Sequence, residues 1–413
     1  MTISEHLTEA QKTRLFLLSC IALTVTAMTF GIRAGILGQL GVDFGLTNTQ
    51  LGYITAMAFW GFPLATIFGG LLYNAIGARI LISLACVCHI AGLVLTIIAD
   101  SFWGLMLSSL LVGFANGSVE AGCNPVISEC YDKNKTTMLN KFHVWFPAGI
   151  VIGALISFAM SNVGLGWQLQ IAVMLLPTAV YGFMLLGAVF PKHDAAIVST
   201  SNNFKSMFTP VFLFLFVCMT ITAQTELGTT QWADKILAGS GVHPMVTLAL
   251  IFGIMAIGRF FAGPLVHKFN PTGVLLYSAV VSTIGLFMLS QFSGPLAIVA
   301  AVVFALGVTY FWPTMIGCVA EYLPQTGALG MSIVGGAGMA SVAVWAPIVG
   351  GWVDAANADA AAAGASAEEI AAMAGPMVLQ NLTLFPVVLI VAFGGFYVYM
   401  KKRNSASSEA NAA

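Results

Sequence analysis

Apolar runs long enough to cross a lipid bilayer recur along the whole sequence, and no other feature restricts the fold as strongly. The hydrocarbon core of a bilayer is about 30 Å thick, so a spanning helix needs roughly 20 consecutive apolar residues. About twelve such spans are present, at 14–40, 50–73, 79–99, 102–130, 138–161, 166–190, 206–231, 244–266, 272–291, 294–321, 327–353 and 377–400. They are continuous rather than alternating, which favours helices over a β-barrel. We therefore predict an all-α membrane protein with twelve transmembrane helices.

The sequence also divides into two similar halves. The stretch 70–79, between spans two and three, is echoed by 263–273 between spans eight and nine, and 114–117 is echoed by 304–307. A segment containing proline, charge and a Ser/Asn cluster separates the first six spans from the last six. The predicted units are a six-helix bundle over 1–190, a cytoplasmic linker over 191–205 and a six-helix bundle with a short cytoplasmic tail over 206–413. Two parallel repeats are what alternating access by rocking bundles needs.

The positive charges lie mostly on one side of this topology. Of the 15 Lys and Arg residues, that side holds Lys12, Arg14, Arg79, Lys133, Lys135, Lys141, Lys192, Lys205, Lys268, Lys401, Lys402 and Arg403. By the positive-inside rule both termini are predicted to be cytoplasmic. We expect a multi-pass protein of the cell inner (plasma) membrane with an uncleaved first helix. The alanine-rich stretch 354–375 is expected to be an external loop with some helix of its own.

Very few ionisable groups lie deep in the spans. A charge inside a bilayer costs on the order of 3 kcal/mol or more, so each such group is a candidate for function. They are Arg33 in span one, Glu120 in span four, Glu226 in span seven and Arg259 in span eight. Arg259 is expected to form a structural or gating ion pair with Glu321, near the same end of span ten.

Two polar pairs on neighbouring spans favour a proton site. Glu120 and Asn124 are four residues apart and share one face of span four, while Asn140 and His143 are three apart and share one face of span five. Adjacent helices can bring the pairs together. A carboxyl group in such a cavity can take up or release a proton as the cavity fills, so Glu120 is predicted to carry the proton. The alternative is a permanent ion pair of Glu120 with Arg33 or another cation.

Span seven gathers the groups that typically bind sugars. Gln224, Glu226 and Gln231 supply amides and a carboxylate that pair with hydroxyls, beside Trp232, and the two glutamines are seven residues apart on one helix face. The alternative is that Trp232 belongs to an interfacial aromatic belt and Gln231 is a solvated helix end.

Span ten places Trp312 directly before Pro313. Proline lacks the N–H that a helix uses, so it frees a carbonyl group and allows a bend where a gate would be useful. Trp312 is predicted to stack on the solute, and packing is the alternative.

The stretches 120–125 (Glu-Ala-Gly-Cys-Asn-Pro) and 139–149 (Leu-Asn-Lys-Phe-His-Val-Trp-Phe-Pro-Ala-Gly) are similar to the fucose, galactose and glucose proton-symporter family of the major facilitator superfamily. The loop after span two resembles the superfamily signature Gly-x-x-x-Asp-Arg-x-Gly-Arg through Gly70, Gly77 and Arg79, but Asn74 and Ala75 replace its Asp and Arg.

This resemblance implies proton coupling at Glu120 and sugar contacts from Asn124, Asn140 and His143. Fucose permeases also use an acid in span one, where this chain has Arg33 and no acid. Fucose itself is therefore not predicted.

These observations predict a secondary active transporter for proton-coupled uptake of a hexose or related sugar by alternating access. An anionic sugar derivative or other carboxylate, with Arg33 or Arg259 as counter-ion, stays open, as does a metabolite or drug antiporter. The sequence has no Gly-x-Ser-x-Gly, His-Glu-x-x-His or Walker motif, so neither an enzyme nor an ATP-driven pump is expected. The expected partners are a small solute, protons and the lipid bilayer, without nucleic acid, cofactor or metal, and the chain is predicted to be a monomer.

Overall fold

The computed structural model describes residues 7–131, 138, 141–191, 204–233, 237 and 242–412. Within these ranges the side chains at 74–75, 128, 262–267, 320–321, 324, 327–328, 331, 367–368, 371–372 and 404–412 are not described. Most of the predicted linker at 191–205, the candidate Asn140 and the side chain of Glu321 therefore lie outside the described part of the chain.

The described residues are almost entirely helical. The helices are α1 (Glu9–Asp43), α2 (Asn48–Tyr73), α3 (Ile76–Ile97), α4 (Phe102–Cys130), α5 (Lys141–Asn162), α6 (Trp167–Leu186), α7 (Pro210–Gln231), α8 (Pro244–Phe260), α9 (Lys268–Gln291), α10 (Pro295–Val319), α11 (Gly327–Ala362) and α12 (Ala367–Ala412). In the described part, 11 of them are long and apolar enough to cross a membrane, and α8 is a shorter apolar helix. The predicted all-α fold with twelve membrane helices in two six-helix bundles is confirmed.

The echo between the halves reappears as a pair of backbone breaks. Gly77, at the start of α3, has φ 72°, and Asn270, at the start of α9, has φ 52°. Glycine and asparagine are the residues that enter this left-handed region most readily. Each half therefore has a sharp backbone turn at the corresponding point, and without this turn the two helices on either side would form one continuous helix.

The predicted external loop at 354–375 is largely helical. Helix α11 continues to Ala362 and α12 begins at Ala367, because the alanines that fill this stretch are the strongest helix formers. Asp354 accordingly lies within α11 rather than in a loop. The predicted C-terminal tail is likewise a continuation of α12.

We call the side at which α1 begins and α12 ends the terminal face, and the opposite side the far face. The halves are joined at the far face, where the carboxylate of Asp354 accepts hydrogen bonds from the backbone N–H and side-chain groups of Asn48 and Thr49, at 2.7–3.0 Å. The rings of Phe158 on α5 and His243 beside α8 pack at 4.6 Å between centroids. The structure is therefore closed at the far face.

Candidate functional site

Helix α7 is broken in the middle by a single π-helical turn over Gln224–Gly228. The N–H of Thr229 bonds to the carbonyl of Gln224 instead of closing an α-helical turn. Gly228 leaves room for the Gln224 side chain, because a Cβ atom at this position would overlap the Gln224 amide and displace it. Such turns are frequent at functional sites. The extra residue also shifts the register, so the seven-residue spacing no longer aligns Gln224 with Gln231.

A buried ion pair lies beside this turn. The Nη2 atom of Arg259 donates to Oε1 of Glu226 at 2.9 Å, and Nε of Arg259 donates to the carbonyl of Thr309 at 3.0 Å. That carbonyl is free because Pro313, one turn later, has no N–H to donate. Sequence analysis expected Glu321 as the partner of Arg259; the described partner is Glu226, on a different helix. Both hydrogen bonds fix the guanidinium between α7 and α10.

The turn also carries buried polar atoms that have no hydrogen-bond partner in the described residues. They are Nε2 and Oε1 of Gln224, Oε2 of Glu226, Oγ1 of Thr229 and Oε1 of Gln231. An unsatisfied buried polar group typically costs about 1–3 kcal/mol, so native proteins hold few of them. Five such atoms between Gln224 and Gln231, within about two turns of α7, therefore make this stretch a candidate ligand site. We call these four residues the α7 cluster.

The aromatic residues near the α7 cluster are packed into the protein. Trp232 is 1% exposed and Gln231 is 2% exposed, which contradicts the interfacial-belt and solvated-end alternatives. The indole of Trp312 lies against α11, where Gly335 and Gly338 leave room for it. Trp312 itself stays partly exposed, so one part of its ring is packed and another is open.

The first half holds a second polar group. Nδ2 of Asn124 donates to Oε2 of Glu120 at 2.6 Å, and Nε2 of His143 lies 3.1 Å from Oδ1 of Asn124. Since an amide oxygen only accepts, Nε2 of His143 is the donor. The spans thus bring Glu120, Asn124 and His143 together as expected, and all three side chains are only partly buried. Oε1 of Glu120 has no hydrogen-bond partner among the described residues.

A family model described as the Major Facilitator Superfamily matches residues 19–347, which is most of the chain. The chain belongs to the Major Facilitator Superfamily. A solved D-xylose-proton symporter of the same fold superposes with a TM-score of 0.73 at 14% identity, over 90% of this chain and 97% of that one. At this identity the likeness shows the fold alone.

Relatives within the superfamily include transporters named for different solutes. Solute carrier family 2, facilitated glucose transporter member 10 from Xenopus laevis is 29% identical over 160 residues, which are 38% of this chain but only 28% of the relative. The 3-(3-hydroxy-phenyl)propionate transporter of Escherichia coli (strain K12) is 25% identical over 279 residues, 64% of this chain and 68% of the relative. One name refers to a neutral sugar and the other to a carboxylate.

Arg33 is not the partner of Glu120 in this superfamily member. No hydrogen bond or ion pair joins Arg33 to any residue that the structure describes, and its Nη1 atom is buried without a partner. The alternative in which Glu120 is a strut paired with Arg33 is therefore contradicted. The two charges belong to separate sites in the first half.

A buried hydrogen-bond chain that sequence analysis did not predict crosses the first bundle of this transporter. It runs from Tyr181 through His89 and Asn116 to Thr29, with distances of 2.8, 2.8 and 2.9 Å. Because Oδ1 of Asn116 accepts, Nε2 of His89 donates to it and Nδ1 accepts from Tyr181. Every member of the chain is satisfied, so its role is to hold four helices together. The sequence shows a polar residue in each of these four helices. It does not show that the four residues lie at the same depth in the bundle, and this could be seen only once the helices were placed.

Proposed function

We propose that this chain is a secondary active transporter that couples uptake of a hexose or related neutral sugar to protons. The observation that carries the proposal is the α7 cluster, whose buried polar atoms have no partner among the described residues. A sugar presents several hydroxyl groups, each able to donate and accept a hydrogen bond. Binding such a solute would satisfy the cluster.

The chemistry of the α7 cluster favours hydroxyl donors. Three of its unpartnered atoms, Oε1 of Gln224, Oε2 of Glu226 and Oε1 of Gln231, are acceptors. Arg259 neutralises Glu226 while leaving Oε2 free. The partly exposed ring of Trp312 would cover the apolar face of the sugar. A carboxylate would meet acceptor oxygens here and be repelled.

In this proposal Glu120 carries the proton. Asn124 fixes one carboxylate oxygen and His143 orients Asn124, which leaves the other oxygen of Glu120 to bind the proton. Asn124, Asn140 and His143 would contact the solute from the first half. Arg259, with Glu226 as its described partner, and Glu321 would act in gating, since Arg259 ties α7 to the bend in α10.

The far face would then be the outside of the cell inner membrane, with both termini in the cytoplasm. The excess of Lys and Arg at the terminal face supports this orientation. In an alternating-access cycle, closure of the far face would accompany opening towards the cytoplasm. The hydrogen bonds of Asp354 to α2 would have to break when the carrier opens to the other side.

A carboxylate substrate is the second candidate, because the Escherichia coli relative named for a hydroxyphenylpropionate aligns with 64% of this chain. In the described residues, Arg259 is already paired with Glu226 and Arg33 lies in a separate cavity. Neither is poised as a counter-ion within the α7 cluster. Neutral sugar therefore remains the proposal.

The test is uptake of a labelled hexose panel into proteoliposomes under an imposed pH gradient. Wild type should accumulate at least one hexose above equilibrium, whereas Glu120→Gln should exchange it without accumulating it. Glu369→Gln is the matched control, since Glu369 is exposed and bonded only to Ser366. Failure to take up any neutral sugar would overturn the proposal, and accumulation by Glu120→Gln would move the coupling to another group.

A further inference from the structure

The side chain of Arg33 lies in a cavity inside the first bundle, apart from the α7 cluster. This cavity is enclosed by α1, α2, α3, α4 and α6. Arg33 is 8% exposed and bonds to no other described residue. A guanidinium group stays protonated at any physiological pH, so a full positive charge is buried here without a partner.

The walls of the cavity supply no negative charge. Most of them are aliphatic, and the polar lining consists of Thr29, Thr96 and Ser109. The hydroxyls of Thr29 and Thr96 donate to carbonyls of their own helices, at 2.6 and 2.7 Å. Ser109 makes no hydrogen bond to a described residue, so its hydroxyl is free to donate. Arg33 and Ser109 are thus two donors that lack an acceptor.

No acid of the described first half forms an ion pair with Arg33, and two of them have other partners. Asp43, at the end of α1, accepts a hydrogen bond from Nε1 of Trp167 at 2.8 Å. Glu120 accepts from Asn124 and lies eight or more residues along α4 from the cavity lining, which is roughly 12 Å or more at 1.5 Å per residue. A buried charge is stabilised by a paired opposite charge, and none of the described side chains pairs with Arg33, so a bound anion would supply the negative charge.

The size of the cavity limits what that partner is. The space left between its side chains is about that of one or two water molecules. A sugar acid or an aromatic acid does not fit. One small anion does.

We propose that Arg33 and Ser109 bind a small inorganic anion, of which chloride is the available example. The anion would be a resident counter-ion of the first bundle and not the transported solute. The site is independent of the proposed sugar transport, because none of its residues belongs to the α7 cluster or to the Glu120 group.

The probe is chloride added to the full-length protein purified in sodium gluconate, with thermal unfolding as the readout. Wild type should show a saturable rise in its unfolding midpoint, and bromide should act similarly at equal ionic strength. Arg33→Met should abolish the rise and Ser109→Ala should weaken the apparent affinity severalfold. Lys205→Met removes one exposed cation and should respond as wild type does.

A second measurement does not depend on the folding of a variant. Crystals of wild type grown with bromide should give an anomalous peak within hydrogen-bond distance of the Arg33 guanidinium. No halide-dependent shift in wild type, together with no such peak, would overturn the proposal. Stabilisation by acetate but not by chloride would also overturn it, in favour of a carboxylate.

Discussion

Two regions of this transporter, the hydrogen-bonded chain from Tyr181 to Thr29 in the first half and the α7 cluster in the second, treat their buried polar groups in opposite ways. In the first half, Tyr181, His89, Asn116 and Thr29 form a chain in which each hydrogen-bonding group meets a partner. In the second half, the α7 cluster leaves amide, carboxylate and hydroxyl atoms buried and unmet.

This difference distinguishes a group of residues that stabilises the fold from a group that is a candidate ligand site. A satisfied polar chain stabilises helix packing and offers nothing to a ligand, whereas unsatisfied groups gain most when a ligand arrives. The π-helical turn explains how the second half departs from the first, because it turns side chains out of the regular helical register. The two halves share their topology, and the local break in α7 places unpartnered polar groups where a ligand could bind them.

The largest expected effect comes from removing Arg259. Arg259→Met leaves the carboxylate of Glu226 buried and unpaired and the Thr309 carbonyl without its donor, which should lower the free energy of unfolding by about 3–5 kcal/mol. Thermal unfolding in detergent measures this. Glu226→Gln combined with Arg259→Met should recover most of the loss. An equal loss in Lys12→Met, which breaks an exposed pair with Glu9, would show that charge removal alone is responsible.

A pair of matched glutamines tests the comparison of the halves. Gln170, buried in the first half, accepts from Ser157 at 2.7 Å and donates to Ser161 at 3.1 Å, whereas both amide atoms of Gln224 are unpartnered. Gln170→Leu should cost about 1–3 kcal/mol of stability. Gln224→Leu should be neutral or stabilising in the absence of solute. The same thermal measurement applies, and equal destabilisation by both changes would contradict the comparison.

Gly228 offers a smaller perturbation of the same site. In Gly228→Ala the new methyl group would displace the amide of Gln224, because the two would occupy the same space. Solute affinity should fall roughly tenfold, which corresponds to about 1.4 kcal/mol, with little change in the unfolding midpoint. Gly253→Ala, where a Cβ meets nothing within 4 Å, is the control. Unchanged affinity in Gly228→Ala would remove Gln224 from the site.

The smallest effect concerns the contact between the halves. Asp354→Asn weakens the hydrogen bonds to Asn48 and Thr49 by about 1 kcal/mol, which is roughly fivefold in population. The expected result is a larger open fraction at the far face, seen as longer distances between spin labels at Val42 and Ala358. Asp359→Asn, on the exposed side of α11, should leave the distances unchanged. An identical response of the two variants would remove Asp354 from gating.

The sequence predicted well what is local. The length of each apolar run specified the helices, and the four-residue spacing of Glu120 and Asn124 predicted a contact that the structure contains at 2.6 Å. Predictions from regular helical spacing were wrong where the backbone departs from an α-helix. The π-helical turn breaks the alignment of Gln224 with Gln231, and nothing in the local pattern announces such a turn.

Contacts between helices were less predictable. Arg259 was matched with Glu321 by depth, and the side chain of Glu321 lies outside the described part of the chain; the ion pair with Glu226 was not predicted, because helix positions around the bundle are not encoded in spacing. Asp354 was assigned to a loop from its surroundings, although alanine continues α11 past it. The freed carbonyl before Pro313 was foreseen, and its partner Arg259 was not.

The central claim is that the α7 cluster binds the solute, and equilibrium binding of a labelled hexose to the purified protein tests it most directly. Wild type and Gln170→Leu should bind with the same affinity, while Gln224→Leu should bind at least tenfold more weakly even though its apo form is no less stable. Full affinity in Gln224→Leu, or an equal loss in Gln170→Leu, would contradict the account.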